Sequence, residues 1–341
     1  MSKVEQESTV EAAARKQSHL DLAFNSQNSR IDDRFYYEPM LAGHPNETDS
    51  MPVKFGSKNL RFPIWISSMT GGTSKEGPIN KMLARTASKF GFGMGLGSCR
   101  IILEDRTWFD DFNLRPILGD ELPLFANIGI AQVEKLLARS EAHRLGQLVS
   151  DLDADGLIIH VNPIQEWLQP EGDHIAQPPV TTIEQCLNEI DIPIIVKEVG
   201  QGFGPESMHQ LLSMPLLAIE FASGGGTNFA KLELKRNFTE QKTFENLTQL
   251  GHCAEEMIGF LNGAVDDPSL SLRCHHVIVS GGVRNFLDGY YFISKSKLNA
   301  VYGQAAAFLK AASESQETLD SYAASQVRGL LLAKQFLKVK P

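Results

Sequence analysis

Residues 276–305 read HVIVSGGVRNFLDGYYFISKSKLNAVYGQA. A short apolar run (HVIVSGG, from His276) ends on two glycines, a helical pattern follows over Phe286–Ser294, and a second run (NAVYGQA, from Asn299) again ends on small residues. Strands covered on both faces read as continuous apolar runs, and parallel neighbours need a crossover between them. The stretch is therefore one β-α-β unit of a buried parallel sheet. Six more runs of this kind precede it: PIWISSM from Pro63, GMGLG from Gly93, LFANIG from Leu124, GLIIHVN from Gly156, PIIVKEVG from Pro193 and LLAIEFAS from Leu216. Helical patterns lie between or after them at Ile79–Phe90, Ile130–Arg144, Thr182–Ile190, Pro205–Leu212, Phe244–Leu261 and Ala305–Leu337. Eight strand-then-helix units predict an α/β TIM (β/α)8 barrel over residues 63–341. Residues 1–62 read as an N-terminal extension covering one barrel face and contributing to substrate binding. An open dinucleotide-binding sheet is excluded by its missing signature, since neither GFGMGLG nor GQGFG fits G-x-G-x-x-G.

The chain has 341 residues with 32 Lys and Arg against 41 Asp and Glu, a net charge of -9. That balance argues against nucleic acid, which wants a basic face. No apolar run has the roughly 18 residues of a membrane span, and the first twenty residues lack the apolar core of a signal peptide. The four cysteines, Cys99, Cys186, Cys253 and Cys274, form no C-x-x-C pair and read as free thiols. The expectation is a cytoplasmic enzyme acting on a small molecule, with no nucleic-acid or membrane partner.

In such a barrel the chemistry sits at the C-terminal ends of the strands. Ser68, Thr70, Gly71, Ser98, Arg100, Asn127, His160, Asn162, Lys197, Thr227, Gly281, Gly282 and Gly303 all fall there. His275 and His276 fall at the opposite end, where a surface or packing role is expected. The SGG and YGQA turns after the last two strands let backbone N–H groups approach a phosphate. Lys197 closes an apolar strand and points a cation into the mouth, either toward a carboxylate such as Glu198 or toward a ring or anion. With Ser68, Asn127 and Thr227 nearby, the set suits flavin mononucleotide: a phosphate at the last two strands and a ring at the centre. In HVNPIQEWLQPEGD, Glu166 would repel an anionic substrate unless a divalent ion such as Mg²⁺ joined them. Arg100 and the Arg15-Lys16 pair are the cations available to that substrate.

The motifs RKQSH, MTGG, GLGSCR, ANIG, HVNPIQEWLQPEGD, VKEVGQG, GGTNF, SGGVRN and YGQAAAFL span Arg15 to Leu309. Together, in this order, they resemble the type II, flavin-dependent isopentenyl-diphosphate delta-isomerases. The resemblance implies interconversion of isopentenyl and dimethylallyl diphosphate in isoprenoid biosynthesis, with reduced FMN moving the proton, Mg²⁺, NADPH as reductant and a homo-oligomer (tetramer or octamer). It implies that Arg15, Lys16 and His19 grip the diphosphate and that Ser98 and Arg100 contact substrate, with Ser98 also on the cofactor. It assigns Ser68, Met69, Thr70, Asn127, Lys197 and Thr227 to the FMN ring and chain. Gly281, Gly282, Val283, Gln304, Ala305 and Ala306 fall to its phosphate. His160, Asn162 and Gln165 would line the substrate, with Gln165, Lys197 and His160 in the catalytic set and Glu166 on the metal. Glu233 and Arg236 match an acid and a base that close the site.

Two positions depart from that pattern. Ala222 stands where the family usually has serine, with Ser223 displaced by one, and Cys99 occupies the variable place of the GSCR motif, where it reads as a bystander that only exposure beside Arg100 would make oxidisable. One rival is an FMN-dependent 2-hydroxy-acid oxidase or dehydrogenase, but the histidine it needs after the final strands is missing. Another is a nucleotide dehydrogenase with a cysteine loop after its sixth strand, whereas GSCR follows the second. A barrel that binds a phosphate ligand without catalysis leaves Lys197, Gln165 and Glu166 without a purpose.

Overall fold

A computed structural model of the chain describes residues 22–23, 25–26, 30–68, 71, 76–236 and 241–341. Arg15, Lys16, His19, Met69 and Thr70 lie outside the described residues. The described residues fall into two compact units, one ending at Tyr37 and including Lys338–Pro341, the other Glu38–Leu337. In the first, Lys340 N–H donates to the Arg34 carbonyl at 2.9 Å.

The second unit is built on a closed parallel barrel. Its strands are β1 (Ile64–Ile66), β2 (Gly93–Gly95), β3 (Leu124–Gly129), β4 (Gly156–His160), β5 (Ile194–Lys197), β6 (Ala218–Glu220), β7 (His276–Ser280) and β8 (Asn299–Gln304). They pair in chain order, and β8 closes on β1 through Tyr302↔Ile64 and Gln304↔Ile66. All eight predicted strands are present, and the TIM barrel reading holds. The reason is visible in the burial: Ile194, Ile195, Val196 and their neighbours are covered on both faces, barrel interior and helix layer alike.

The helices depart more from expectation. The pattern over Ile130–Arg144 belongs to two helices, Ile130–Ala138 and His143–Asp151, because Ser140 turns the chain at φ 57. The pattern over Ala305–Leu337 divides into Ala306–Glu314 and Gln316–Phe336, where Ser315 Oγ caps the second helix through Thr318 N–H at 3.0 Å. The pattern over Phe244–Leu261 breaks at Gly251, and its helix runs Ala254–Asp266. Short helices also follow β2 (Arg100–Glu104), β4 (Pro163–Leu168) and β6 (Phe229–Arg236), within segments too short to show a periodic face.

A hairpin of Val53–Phe55 and Lys58–Leu60 covers the N-terminal end of the barrel. Phe55 packs 5.1 Å from Trp65 and 5.4 Å from His276, ring centre to ring centre, so His276 has the packing role its position predicts. Lys58 pairs with Asp155 at 2.5 Å, and the same carboxylate holds the buried Arg115 at 2.8 Å and the Leu124 N–H at 2.8 Å. The polar mouth lies at the other end. Among the described residues no helix is long and apolar enough to cross a membrane.

Candidate active site

At the C-terminal ends of the strands a cavity of about 370 Å³ is lined by Lys197, Glu220, Thr227, Ser280 and the two predicted turns, Gly281–Val283 and Gln304–Ala306. That volume lies within the roughly 300–1,000 Å³ usual for small-molecule sites. A smaller cavity of about 130 Å³ is lined by Ser98, Asn127, His160 and Gln165. Ser68, Lys197, Val199 and Phe229 line both, so the two compartments share a wall and Lys197 stands between them.

The larger compartment suits a phosphate at one end. Gly281 and Gly282 have φ of 82° and 73°, and a Cβ on Gly281 would lie 2.2 Å from the Ser223 carbonyl oxygen. Only glycine lets this turn close against the loop after β6. The helix Ala306–Glu314 begins on the same wall, and the N–H groups and positive dipole end of a helix N-terminus suit an anion. Gln304 Nε2 donates to the Val283 carbonyl at 3.0 Å and its Oε1 accepts from Tyr322 at 2.9 Å, so this side chain shapes the wall. Ser67 Oγ, Ser68 Oγ and Glu220 Oε2 are buried there without a hydrogen-bond partner. Buried polar atoms are rarely left so, and three on one cavity wall fit a polar ligand such as FMN.

Lys197 is 5% exposed and its Nζ donates to the Glu198 carbonyl oxygen at 2.8 Å. The Glu198 carboxylate turns away from it. One oxygen accepts the N–H groups of Val199, Gly200, Gln201 and Gly202 at 2.6–2.9 Å, which holds the VKEVGQG loop in shape. The alternative of a Lys197–Glu198 side-chain pair is thereby replaced by a backbone contact, and the ammonium remains on the walls of both compartments.

His160 ends β4. Asn127 Nδ2 donates to the Leu96 carbonyl at 3.0 Å, so its Oδ1 is the acceptor facing His160 Nδ1 at 2.8 Å. That places the imidazole proton on Nδ1 and leaves a lone pair on Nε2. Burial, with the Lys197 charge beside it, pushes the ring down to about 3, so it stays neutral at physiological pH. His160 is thus a hydrogen-bond acceptor at Nε2. Gly129 makes room for it, since a Cβ there would come 2.9 Å from that nitrogen.

The helix Pro163–Leu168 carries the next group. Asn162 Nδ2 donates to Gln165 Oε1 at 3.2 Å and Glu166 Oε1 at 3.0 Å, and Gln165 Nε2 donates to Glu233 Oε1 at 3.2 Å. Glu233 also pairs with Arg236 at 2.7 Å. The predicted pair from the helix after β6 therefore meets the predicted cluster after β4. Glu166 is 9% exposed, and its Oε2 accepts the Asp173 N–H at 2.7 Å. Asn162 Oδ1 is buried without a partner. Each Glu166 oxygen retains a second lone pair, so this oxygen-only set suits one face of a Mg²⁺ ion whose other positions are filled by a substrate. Among the described residues no cluster of three His, Cys, Asp or Glu side chains could hold a metal alone. Arg100 pairs with Asp173 at 3.0 Å and borders a third cavity together with Ser98, while Asp173 also receives Lys135 and Gln132.

The two positions that depart from the family pattern are also defined. Cys99 is fully buried, with burial pushing its thiol up to about 12, which agrees with a bystander and removes the exposure that oxidation would need. Its side chain turns inward, Sγ 3.5 Å from the Gly97 carbonyl oxygen. Ser223 does not turn its hydroxyl to the cavity in place of the missing serine, because Oγ faces the carbonyls of Ser280 at 3.0 Å and Gly281 at 2.8 Å. Sequence reasoning also missed Glu220, whose only signal is an acid inside an otherwise apolar strand.

Fold and site define an α/β barrel with a cavity that suits a phosphate-bearing ligand beside a smaller polar pocket. No family model matches the chain. It is 31% identical over 313 residues to "Isopentenyl-diphosphate delta-isomerase" of Rickettsia felis, covering 89% of this chain and 87% of the relative. It is 33% identical over 321 residues to the protein of the same name from a Nostoc species, covering 91% and 87%. Among solved structures it is similar to a mandelate oxidase mutant with the monooxide FMN adduct (TM-score 0.54, 14% identity, 90% of this chain and 89% of that one). It is likewise similar to a flavocytochrome b2 mutant with benzoylformate (TM-score 0.61, 12% identity, 89% and 76%). At that identity the structures share the fold alone. The chain belongs to the isopentenyl-diphosphate delta-isomerase family.

Proposed function

We propose that this protein interconverts isopentenyl and dimethylallyl diphosphate in isoprenoid biosynthesis, as a type II enzyme that uses reduced FMN, Mg²⁺ and NADPH as reductant. The observation that carries the flavin part is the larger cavity, where three unpartnered buried oxygens, the Gly281–Gly282 turn and a helix N-terminus line one wall. The names of the curated relatives support the reaction. When bound and reduced, FMN supplies an electron-rich ring at which the proton of the allylic shift is exchanged. The Gly281–Val283 and Gln304–Ala306 turns would hold its phosphate, Ser68, Asn127 and Thr227 its ring and chain, and Lys197 negative charge on the ring. Neutral His160 would accept a hydrogen bond at Nε2, and Gln165, held by Asn162 and Glu233, would orient the alkene and its proton. Glu166 would join the diphosphate through Mg²⁺, with Arg100, Arg15, Lys16 and His19 as the cations around it.

The test is an anaerobic assay of isopentenyl diphosphate with FMN, Mg²⁺ and NADPH. Product should form without stoichiometric loss of NADPH, dithionite should replace NADPH, and oxidised FMN should leave the protein nearly inactive. Oxidation of a 2-hydroxy acid in place of isomerisation would return the protein to the rival class.

A further inference from the structure

Glu220 ends β6, is fully buried, and has no part in the roles above. Its side chain reaches the larger cavity and not the smaller one. Oε1 accepts from Ser280 Oγ at 3.0 Å, and that hydroxyl in turn accepts the Ala222 N–H at 3.0 Å. Oε2 has no partner, and neither does Ser67 Oγ on the same wall. The register sets Glu220 beside Lys197 on one side, and on the other beside Ile278, two residues before Ser280 and the glycine turn. An acid and a hydroxyl, both incomplete, thus stand between the cation shared by the two compartments and the phosphate end.

We infer that Glu220, with Ser67, binds the hydroxyl-bearing chain that joins ring to phosphate in the ligand of this cavity. The inference rests on the flavin reading, in which that chain is the ribityl group of FMN. A ligand hydroxyl both donates and accepts, so it completes Glu220 in either protonation state and completes Ser67 as well. Burial pushes the carboxyl up, opposed by the Lys197 charge and by the nearby Ser67 and bonded Ser280 hydroxyls, and a ligand hydroxyl serves either charge state. The two residues at the start of the loop after β6 offer nothing equivalent: Ala222 presents a methyl group, and the Ser223 hydroxyl faces two carbonyls. An ammonium or a second carboxylate would satisfy only one charge state of Glu220, with Lys197 already alongside.

The experiment titrates the full-length apoprotein with FMN, riboflavin and lumiflavin, the bare ring, following flavin fluorescence. Wild type comes first. If it binds none of the three, the flavin reading fails and this inference with it; if it binds FMN, the variants test Glu220 alone. Glu220→Leu should weaken FMN and riboflavin by a similar factor, about tenfold for a buried hydrogen bond, and leave lumiflavin within about twofold. Glu220→Gln, which keeps a group able to donate and accept, should recover most of the loss. Three outcomes overturn the inference: no change for any flavin; an equal loss for lumiflavin, which marks a scaffold or ring effect; or a loss for FMN alone, which marks a disturbed phosphate turn.

Discussion

His160 and Glu166 show how neighbours decide what a polar side chain can do. His160 is held neutral by burial and by Lys197, its ring at about 3 against an ordinary 6.5. The unfolded chain takes up this proton below 6.5 and the folded one does not, so stability is full above that pH and declines as pH falls toward 3, by about 1.4 kcal/mol per unit. Urea unfolding at pH 7.5 and 5 should show His160→Asn losing about 2 kcal/mol less than wild type over that step. An equal loss in both proteins would mean that the ring is charged in the folded state. Glu166 is tested by a magnesium titration of activity with flavin content measured in parallel. Glu166→Gln should lose the magnesium response of substrate binding while keeping its flavin spectrum, because an amide is a poorer ligand for a hard cation. Gln165→Ala should lower turnover more than binding. An unchanged magnesium response in Glu166→Gln would leave that carboxylate as a brace for Asn162 and Asp173.

The turn after β7 and the loop after β6 work as one element. Gly281 packs its Cα where any Cβ would strike the Ser223 backbone, at 2.2 Å from O and 2.3 Å from N, in a conformation that itself costs an L-residue about 1–3 kcal/mol. Gly281→Ala should therefore lower the melting temperature and weaken FMN more than riboflavin, because the element that moves is the one facing the phosphate. Equal weakening of both flavins would place the phosphate elsewhere on the wall.

Across the whole barrel, the two ends are separable. Phe55 of the hairpin fills the N-terminal end against Trp65 and His276, far along the strands from the polar mouth. Phe55→Ala should cost about 3–5 kcal/mol of stability and leave flavin affinity unchanged in calorimetry run below the melting transition. The far N-terminus is tested through the substrate. Arg15→Ala or Lys16→Ala should raise the Michaelis constant, each lost charged bond to phosphate being worth about 1.5–3 kcal/mol, with FMN affinity unaffected. Wild-type constants in both variants would leave the pair as solvated charges.

The barrel was readable from the chain because a buried parallel strand must be apolar on both faces, and eight such runs alternating with helical patterns admit few other closures. The C-terminal strand ends then put Lys197, His160, Asn127 and the two glycine turns in one mouth before any contact was known. Helix boundaries were less readable, because the breaks at Ser140, Ser315 and Gly251 depend on one residue each, while periodicity averages over many. Contacts between distant segments left no trace in the one-dimensional pattern. Cys99 turns inward although its motif neighbour Arg100 is exposed, the Glu198 carboxylate takes four N–H groups and leaves the Lys197 ammonium to the backbone carbonyl, and Ser223 faces carbonyls. Glu220 looked like a lone acid in a strand, and only the closing of β6 against β5 and β7 brought it to Lys197 and Ser280. Periodicity records which face of an element is buried; what a buried polar group touches is set by strand register and loop closure, which join residues tens of positions apart.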